Sequence, residues 1–350
     1  MADPRSDLSI GESVPEPARG RSRRARRMRL LAVAVALIAV AAVVGAAANG
    51  AISMPVVGVP PGGSGAAGSG GTNPVYAHLP IKVASYLGVY ESGAPVSYGP
   101  TIEFSRRIGH HLNLAVYYSG WKEPFQFTFA NAAAAHDAIP VVQIDPYNTS
   151  LKKIADGTYD TYLTTFAQEV HTWRKNVIIS FGHEMNGNWY SWGLGHTKPS
   201  VFVSAWRHIV TVFRNEGDYN VTWLWAVNII DNQSPAIPSP DPWWPGKSYV
   251  TWVGIDGYYL KSSWNFAPLF GPTIAAVHTL TGSTPIIISE TAASAKQPAK
   301  IANLFAGIRR YSLLGFVWFD VNGKQNWHIS SRSSEAAFAS GAKTFNEVTP

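Results

Sequence analysis

The chain contains no cysteine, and that single absence removes disulfide frameworks, thiolate metal sites and thiol nucleophiles together. Charge is scarce as well. Asp, Glu, Lys and Arg make up 14% of the 350 residues against 46% apolar ones, which excludes a globally disordered chain and allows a large buried core. What positive charge there is lies in the wrong place for a polyanion-binding protein. Eight arginines stand against four acids in residues 1–29, so the formal net charge of +6 falls to +2 for everything that follows. A nucleic-acid domain carries its Lys and Arg on the folded part, interleaved with readout groups, so no nucleic-acid partner is expected. Nor is there a short-period repeat of the kind that builds a solenoid.

The basic residues 1–29 end in RSRRARRMR (Arg21 to Arg29) and run into an uncharged apolar stretch, Leu30 to Ala48. That stretch is about 19 residues, enough to cross a bilayer as a helix. The basic flank stays inside, which puts the rest of the chain outside the cell. Two readings compete: an uncleaved signal anchor at 30–48, or a signal peptide removed near Ala46 to Ala51. The anchor is the expectation, with a secreted domain as the alternative. Residues 49–75 include PPGGSGAAGSGGTNP, a composition that cannot form a core and reads as a flexible linker. A folded domain is therefore expected over 76–350, tethered to the membrane and monomeric.

Within it, short β-rich runs alternate with helical patterns. The strand candidates are Tyr86–Tyr90, Leu114–Tyr118, Ile139–Ile144, Asn176–Phe181, Val221–Val227, Trp252–Asp256, Pro285–Ser289 and Gly315–Phe319. Amphipathic segments lie between them, among them Tyr159–Lys175, Ser200–Glu216, Phe266–Thr281, Lys296–Tyr311 and Ser334–Phe345. Apolar strands separated by helices imply parallel strands buried on both faces, and eight such units predict an α/β fold closed as a (β/α)8 TIM barrel. Chemistry in such barrels sits at the carboxyl ends of the strands.

Two glutamates occupy such ends. The fourth strand runs straight into Gly182-His183-Glu184-Met185-Asn186-Gly187-Asn188-Trp189-Tyr190-Ser191-Trp192-Gly193, and the seventh delivers Glu290. Either glutamate alone could be a strand-end salt-bridge partner. As a pair at one mouth, they fit glycosidic cleavage: one carboxyl protonates the leaving oxygen while the other attacks or stabilises the anomeric carbon. A separation of ~5–5.5 Å gives retention and a wider one inversion, which the residues alone do not decide. His183 is not part of an HExxH zinc motif, because position 187 is Gly, and Ser191 and Ser289 lack the GxSxG context of a serine hydrolase.

At these residues the sequence resembles glycoside hydrolase family 26, a β-mannanase-like family in the clan of retaining (β/α)8 glycosidases. HEMNGNWYSWG (His183 to Gly193) is similar to its fourth-strand signature and ISE (Ile288 to Glu290) to its nucleophile strand, with further likeness in AWRHI, NVTWLWAVN and WPGKSYVTWVGIDGYY. The likeness spans about Tyr86 to His328. It implies Glu184 as acid/base and Glu290 as nucleophile, with His183 standing where many clan relatives carry Asn. Tyr258 matches a tyrosine that hydrogen-bonds the nucleophile, with Asp256 in the same wall. Trp189 and Trp318 match aromatics lining the cleavage subsites, and the chemistry implied needs neither metal nor cofactor.

Further aromatics suit sugars, whose apolar faces stack on flat rings. Trp121, Tyr190, Trp192, Trp243, Trp244, Trp264 and Trp327 are candidates, with Asn188 beside them, although aromatics in a barrel also serve as core. One departure stands out: the third strand ends QIDPYN (Gln143 to Asn148) where a Trp-Glu pair is expected. The resemblance implies an endo-acting hydrolase of β-1,4-mannan, with mixed-linkage β-1,3-1,4-glucan or β-1,3-xylan as neighbouring substrates. A non-catalytic glycan-binding barrel and a transglycosylase are the competing readings.

Overall fold

The computed structural model describes residues 79–232, 236–323 and 325–346. The basic tail, the apolar run and the whole of the linker lie outside the described residues, and among those described no helix is long and apolar enough to cross a membrane.

Each apolar run forms a strand: β1 Tyr86–Glu91, β2 Leu114–Gly120, β3 Ile139–Asp145, β4 Val177–Phe181, β5 Val221–Asn228, β6 Trp252–Asp256, β7 Ile286–Thr291 and β8 Gly315–Asp320. They pair in parallel in chain order and close through β8 on β1, where Tyr86 faces Gly315 and Glu91 faces Asp320. Nearly every strand residue is buried. This follows from a sheet covered outside by helices and filled inside by side chains.

The helices are α1 Gly99–Ile108, α2 Phe127–Ala135, α3 Leu151–Ala155, α4 Asp160–Trp173, α5 Pro199–Asn215, α6 Phe266–Thr281, α7 Gln297–Arg310 and α8 Arg332–Ala342. Proline in the first turn opens α1, α5 and α7, where its missing N–H has no helical partner to lose. The β5–β6 connection carries 3-10 turns at Asp241–Trp243 and Lys247–Tyr249 instead of an α-helix. Four prolines between 238 and 245 prevent a continuous helix there.

Inside the barrel, Leu114, Val116, Val141, Ile178, Leu224, Ile287 and Val317 meet around a cavity of about 10 Å³, so the interior is a packed core rather than a pore. Outside, Phe305, Phe316 and Phe338 pack edge-on between β8 and the last two helices. The two ends of the domain meet at the amino-terminal face of the barrel. Ala84 N–H donates to Leu313 O (2.9 Å) and Asn346 N–H to Ala84 O (2.7 Å). The carboxyl ends of the strands open on the opposite face. There the register shifts on both flanks of β7, between Gly254 and Asp256 against β6 and between Ile288 and Thr291 against β8. Such irregularities redirect a strand-end side chain, here Glu290.

Candidate active site

β4 ends in two left-handed residues, Gly182 (φ 56°) and Glu184 (φ 55°), flanking His183. A non-glycine side chain in that region is uncommon, and Glu184 is held in it by its N–H donating to Ala226 O (2.9 Å). Its carboxylate has a donor on each oxygen. Trp189 Nε1–H donates to Oε2 (2.7 Å), and Asn228 Nδ2–H, from the end of β5, donates to Oε1. Asn228 is itself locked by a reciprocal pair: its N–H donates to Asn186 Oδ1 and Asn186 Nδ2–H donates to Asn228 O, both 2.9 Å. Gly187 explains the spacing of the run. A Cβ there would lie 2.3 Å from the Trp189 ring, so only glycine lets that indole fold back onto Glu184.

Glu290 is held by two phenols. Tyr258, just beyond β6, donates to Oε1 and Tyr118, near the end of β2, donates to Oε2. Trp327 stacks on Tyr258 (4.4 Å, 23°) and fixes its ring. Both glutamates are nearly buried, at 7% and 6% exposure. Burial pushes Glu184 up to about 7, with Glu290 adding to the shift and His183, Asn228 and Trp189 opposing it. Burial also raises Glu290, against His183 and the two tyrosine hydroxyls, which lower it.

His183, next to Glu184 in the chain, is held at both ring nitrogens, with Nδ1 2.9 Å from Asp145 Oδ1 and Nε2 3.0 Å from the Tyr190 hydroxyl. Asp256 is completely buried and accepts from Ser289 Oγ (2.5 Å); burial and the nearby Glu290 raise it far above the carboxylate range.

Glu184, Glu290, His183, Tyr258, Asp256 and Trp189 are thus brought together, whereas two tryptophans expected to bind sugar are not available to it. Trp192 has no exposed surface. It stacks on Tyr190 (4.2 Å, 11°) and donates to His183 O (2.8 Å), so it supports the loop. Trp318 points outward from β8 to Phe338 on α8, with its N–H on Trp327 O (3.2 Å). Consecutive strand residues face opposite sides, and its neighbour Phe319 takes the inward position against Tyr90 and Tyr258. Trp243, Trp327 and Tyr190 are also core.

Trp244 is partly buried against Trp225. Trp121 is half-buried, edge-on to Tyr159 and Tyr162, with its indole N–H unpartnered. Trp264 is half-buried beneath the Lys261 ammonium (4.9 Å), and Asn188 is exposed. Tyr118, Asn228 and Asp145 escaped the reading of the sequence. All three sit at or near strand ends, the signal that singled out Glu184 and Glu290; Tyr118 and Asn228 are residue types that a search for carboxylate pairs passes over, and Asp145 ends the strand read only for its departure from a Trp-Glu pair.

Comparison with known proteins adds to this geometry. Residues 106–304 match the family model described as Glycosyl hydrolase family 26. The chain is 28% identical over 279 residues to "Endoglucanase H" of Acetivibrio thermocellus, an alignment covering 74% of this chain and 30% of that protein. It is 29% identical over 116 residues to "Mannan endo-1,4-beta-mannosidase A and B" of Caldalkalibacillus mannanilyticus, covering 31% of this chain and 20% of that one. The chain therefore spans less than a third of the length of either relative. Among solved structures, the catalytic domain of the Bacillus sp. JAMB-750 endo-β-1,4-mannanase shares the fold with a TM-score of 0.57 at 14% identity, over 74% of this chain and 86% of that one.

Proposed function

The chain belongs to glycosyl hydrolase family 26, and from that premise we propose that it is an endo-acting, retaining hydrolase of a β-linked polysaccharide, with Glu184 as acid/base and Glu290 as nucleophile. The observation that carries this reading is the contrast between the two carboxyls at one barrel mouth. Glu184, pushed up to about 7, can hold a proton at neutral pH, while Glu290 accepts two O–H donors that favour its ionised form. In the first step a Glu290 oxygen bonds to the anomeric carbon as the glycosidic C–O bond breaks, and the Glu184 proton passes to the departing oxygen. In the second, Glu184 as carboxylate takes a proton from water, whose oxygen displaces Glu290 from the same carbon. Two inversions leave the configuration unchanged.

β-1,4-Mannan is the first substrate to test, in keeping with the relative named a mannan endo-1,4-β-mannosidase. A second reading, β-1,3-1,4-glucan, is favoured by the relative named an endoglucanase, whose alignment covers far more of the chain. Incubation with mannan, lichenan and β-1,3-xylan, followed by analysis of product length and anomer, tests both. Oligosaccharides released with the β-anomer formed first support the proposal. Binding without cleavage would make the chain a glycan-binding barrel, and longer products would make it a transglycosylase.

The enzyme is further proposed to act as a monomer outside the cell, tethered through residues 30–48 by the linker 49–75. The composition of those segments supports the tether. So does the entry of the chain on the face opposite the mouth, which would turn the cleft away from the bilayer.

A further inference from the structure

Asp145 belongs to the QIDPYN stretch at the end of β3, and the two-carboxylate chemistry assigns it nothing. Its surroundings are nevertheless specific. The side chain is completely buried, with Oδ1 on His183 Nδ1 (2.9 Å) and Oδ2 without a partner. A buried carboxylate in this position is costly unless a cation compensates it, and the histidine is the group that can. His183 is itself 1% exposed and held at both nitrogens. Its second partner, the Tyr190 hydroxyl, has the Tyr147 hydroxyl as a further partner. Tyr190 can therefore donate to Tyr147 while accepting from Nε2–H, which leaves both ring nitrogens as donors, the pattern of an imidazolium. The His183 ring also packs against the ring of Tyr118 (5.7 Å), whose hydroxyl holds Glu290.

We propose that Asp145 is a positioning residue that holds His183 as a buried imidazolium within the site of the two glutamates, a fixed cation that keeps Glu290 ionised while Glu184 carries its proton. This deepens the hydrolase reading and rests on it. The titratable groups facing the ring are Asp145 and Tyr147 from β3 and its loop, Tyr118 from β2, and Glu184 and Tyr190 from its own segment. Asp256 from β6 and Glu290 from β7 complete the set. Burial opposes the charge on His183, but Asp145, Glu184 and Glu290 outweigh it and push the imidazole up to about 10. In return, His183 leads the groups that lower both glutamates.

Two measurements on the purified full-length chain test this. In ¹⁵N-labelled protein at pH 7.5, the histidine signal that disappears in His183→Gln should have both ring nitrogens protonated, and in Asp145→Asn it should lose a proton about one pH unit lower or more. A neutral His183 in the parent, or an unchanged titration in Asp145→Asn, overturns the proposal whether or not a cleaved glycan has been found. On a cleaved glycan, His183→Gln should move both limbs of the kcat/KM profile upward by about one unit or more, because both glutamates lose the cation that lowers them. A loss of height with unmoved limbs also overturns it. Failure to cleave any glycan, with His183 doubly protonated, would count against the hydrolase reading alone.

Discussion

Glu184 and Glu290 are the same chemical group at similar burial, yet they receive different donors: amide and indole N–H on the first, phenolic O–H on the second. That difference makes their roles separable by kinetics. Glu184→Ala should reduce polysaccharide cleavage by about 10²–10⁴-fold, the usual worth of a general acid, and spare glycosylation by an activated aryl glycoside. The glycosyl-enzyme should then accumulate, giving a burst, and azide should restore turnover with a β-glycosyl azide as product. Glu290→Ala should fold normally, lose hydrolysis and yield the α-azide. Equal losses on both substrates, with no burst and no azide product, would remove Glu184 from the acid/base role. In the parent enzyme the acid must be protonated, so kcat/KM should fall as pH rises through about 7; with the aryl glycoside that limb should vanish in Glu184→Ala.

At the level of the element, β7 is positioned by its close approach to β6. A Cβ on Gly254 would come within 2.3 Å of Ser289 Oγ and 2.8 Å of its Cβ, beside both Glu290 and the buried Asp256. Gly254→Ala should cost about 1–3 kcal/mol by overpacking and lower kcat at least ~10-fold in the folded fraction by displacing the nucleophile. Gly307→Ala on α7 is the contrasting case. Its Cβ would meet the Phe266 ring at 2.1 Å on the outer helix layer, so stability should fall by a similar amount while kcat of the folded enzyme holds. Thermal unfolding and steady-state kinetics on the two variants check this. Unchanged kcat in Gly254→Ala would show that the β6–β7 contact does not set Glu290.

Across the whole molecule, a stability defect lies far from the mouth, in the turn that leads into β5. Asp218 is 3% exposed, and neither carboxylate oxygen has a hydrogen bond; His171 Nδ1, at 3.8 Å, is beyond hydrogen-bond reach. Burial, helped by Glu216, raises it to about 8. A carboxyl raised in the folded state favours folding only while protonated. Its contribution is full below the unfolded value near ~4 and is lost as pH rises to about 8. Asp218→Asn should therefore raise Tm at pH 8 by about 2–4 °C, the equivalent of about 1 kcal/mol in a large domain, with the gain vanishing toward pH 4. An equal gain at both pH values would assign the effect to packing. The tether makes a second prediction at this scale. The intact protein should fractionate with membranes, and external protease should release the barrel by cutting between residues 54 and 74. A soluble chain whose amino terminus lies near residue 50 would establish cleavage instead.

Sequence by itself determined the barrel, because strands buried on both faces appear as continuous apolar runs. All eight strands end within two residues of where those runs end, and β6 and α6 have the bounds read from them. The order of runs also put Glu184 and Glu290 at strand ends, the first of them ahead of a segment rich in turn and aromatic residues. The same continuity hid the rest, since a run that is apolar at every position carries no phase. Nothing in GFVWFD says that Phe319 faces the site and Trp318 the helices, or in LAVYYSG that Tyr118 rather than Tyr117 reaches a glutamate 172 residues away. Closure of the sheet decides which alternate set points inward, and it brings Tyr118 and Asn228 from different strands to the two carboxylates, and Asp145 from a third to His183. Tertiary structure also separated Trp189, which touches Glu184, from Trp192 three residues later, which the fold uses as packing.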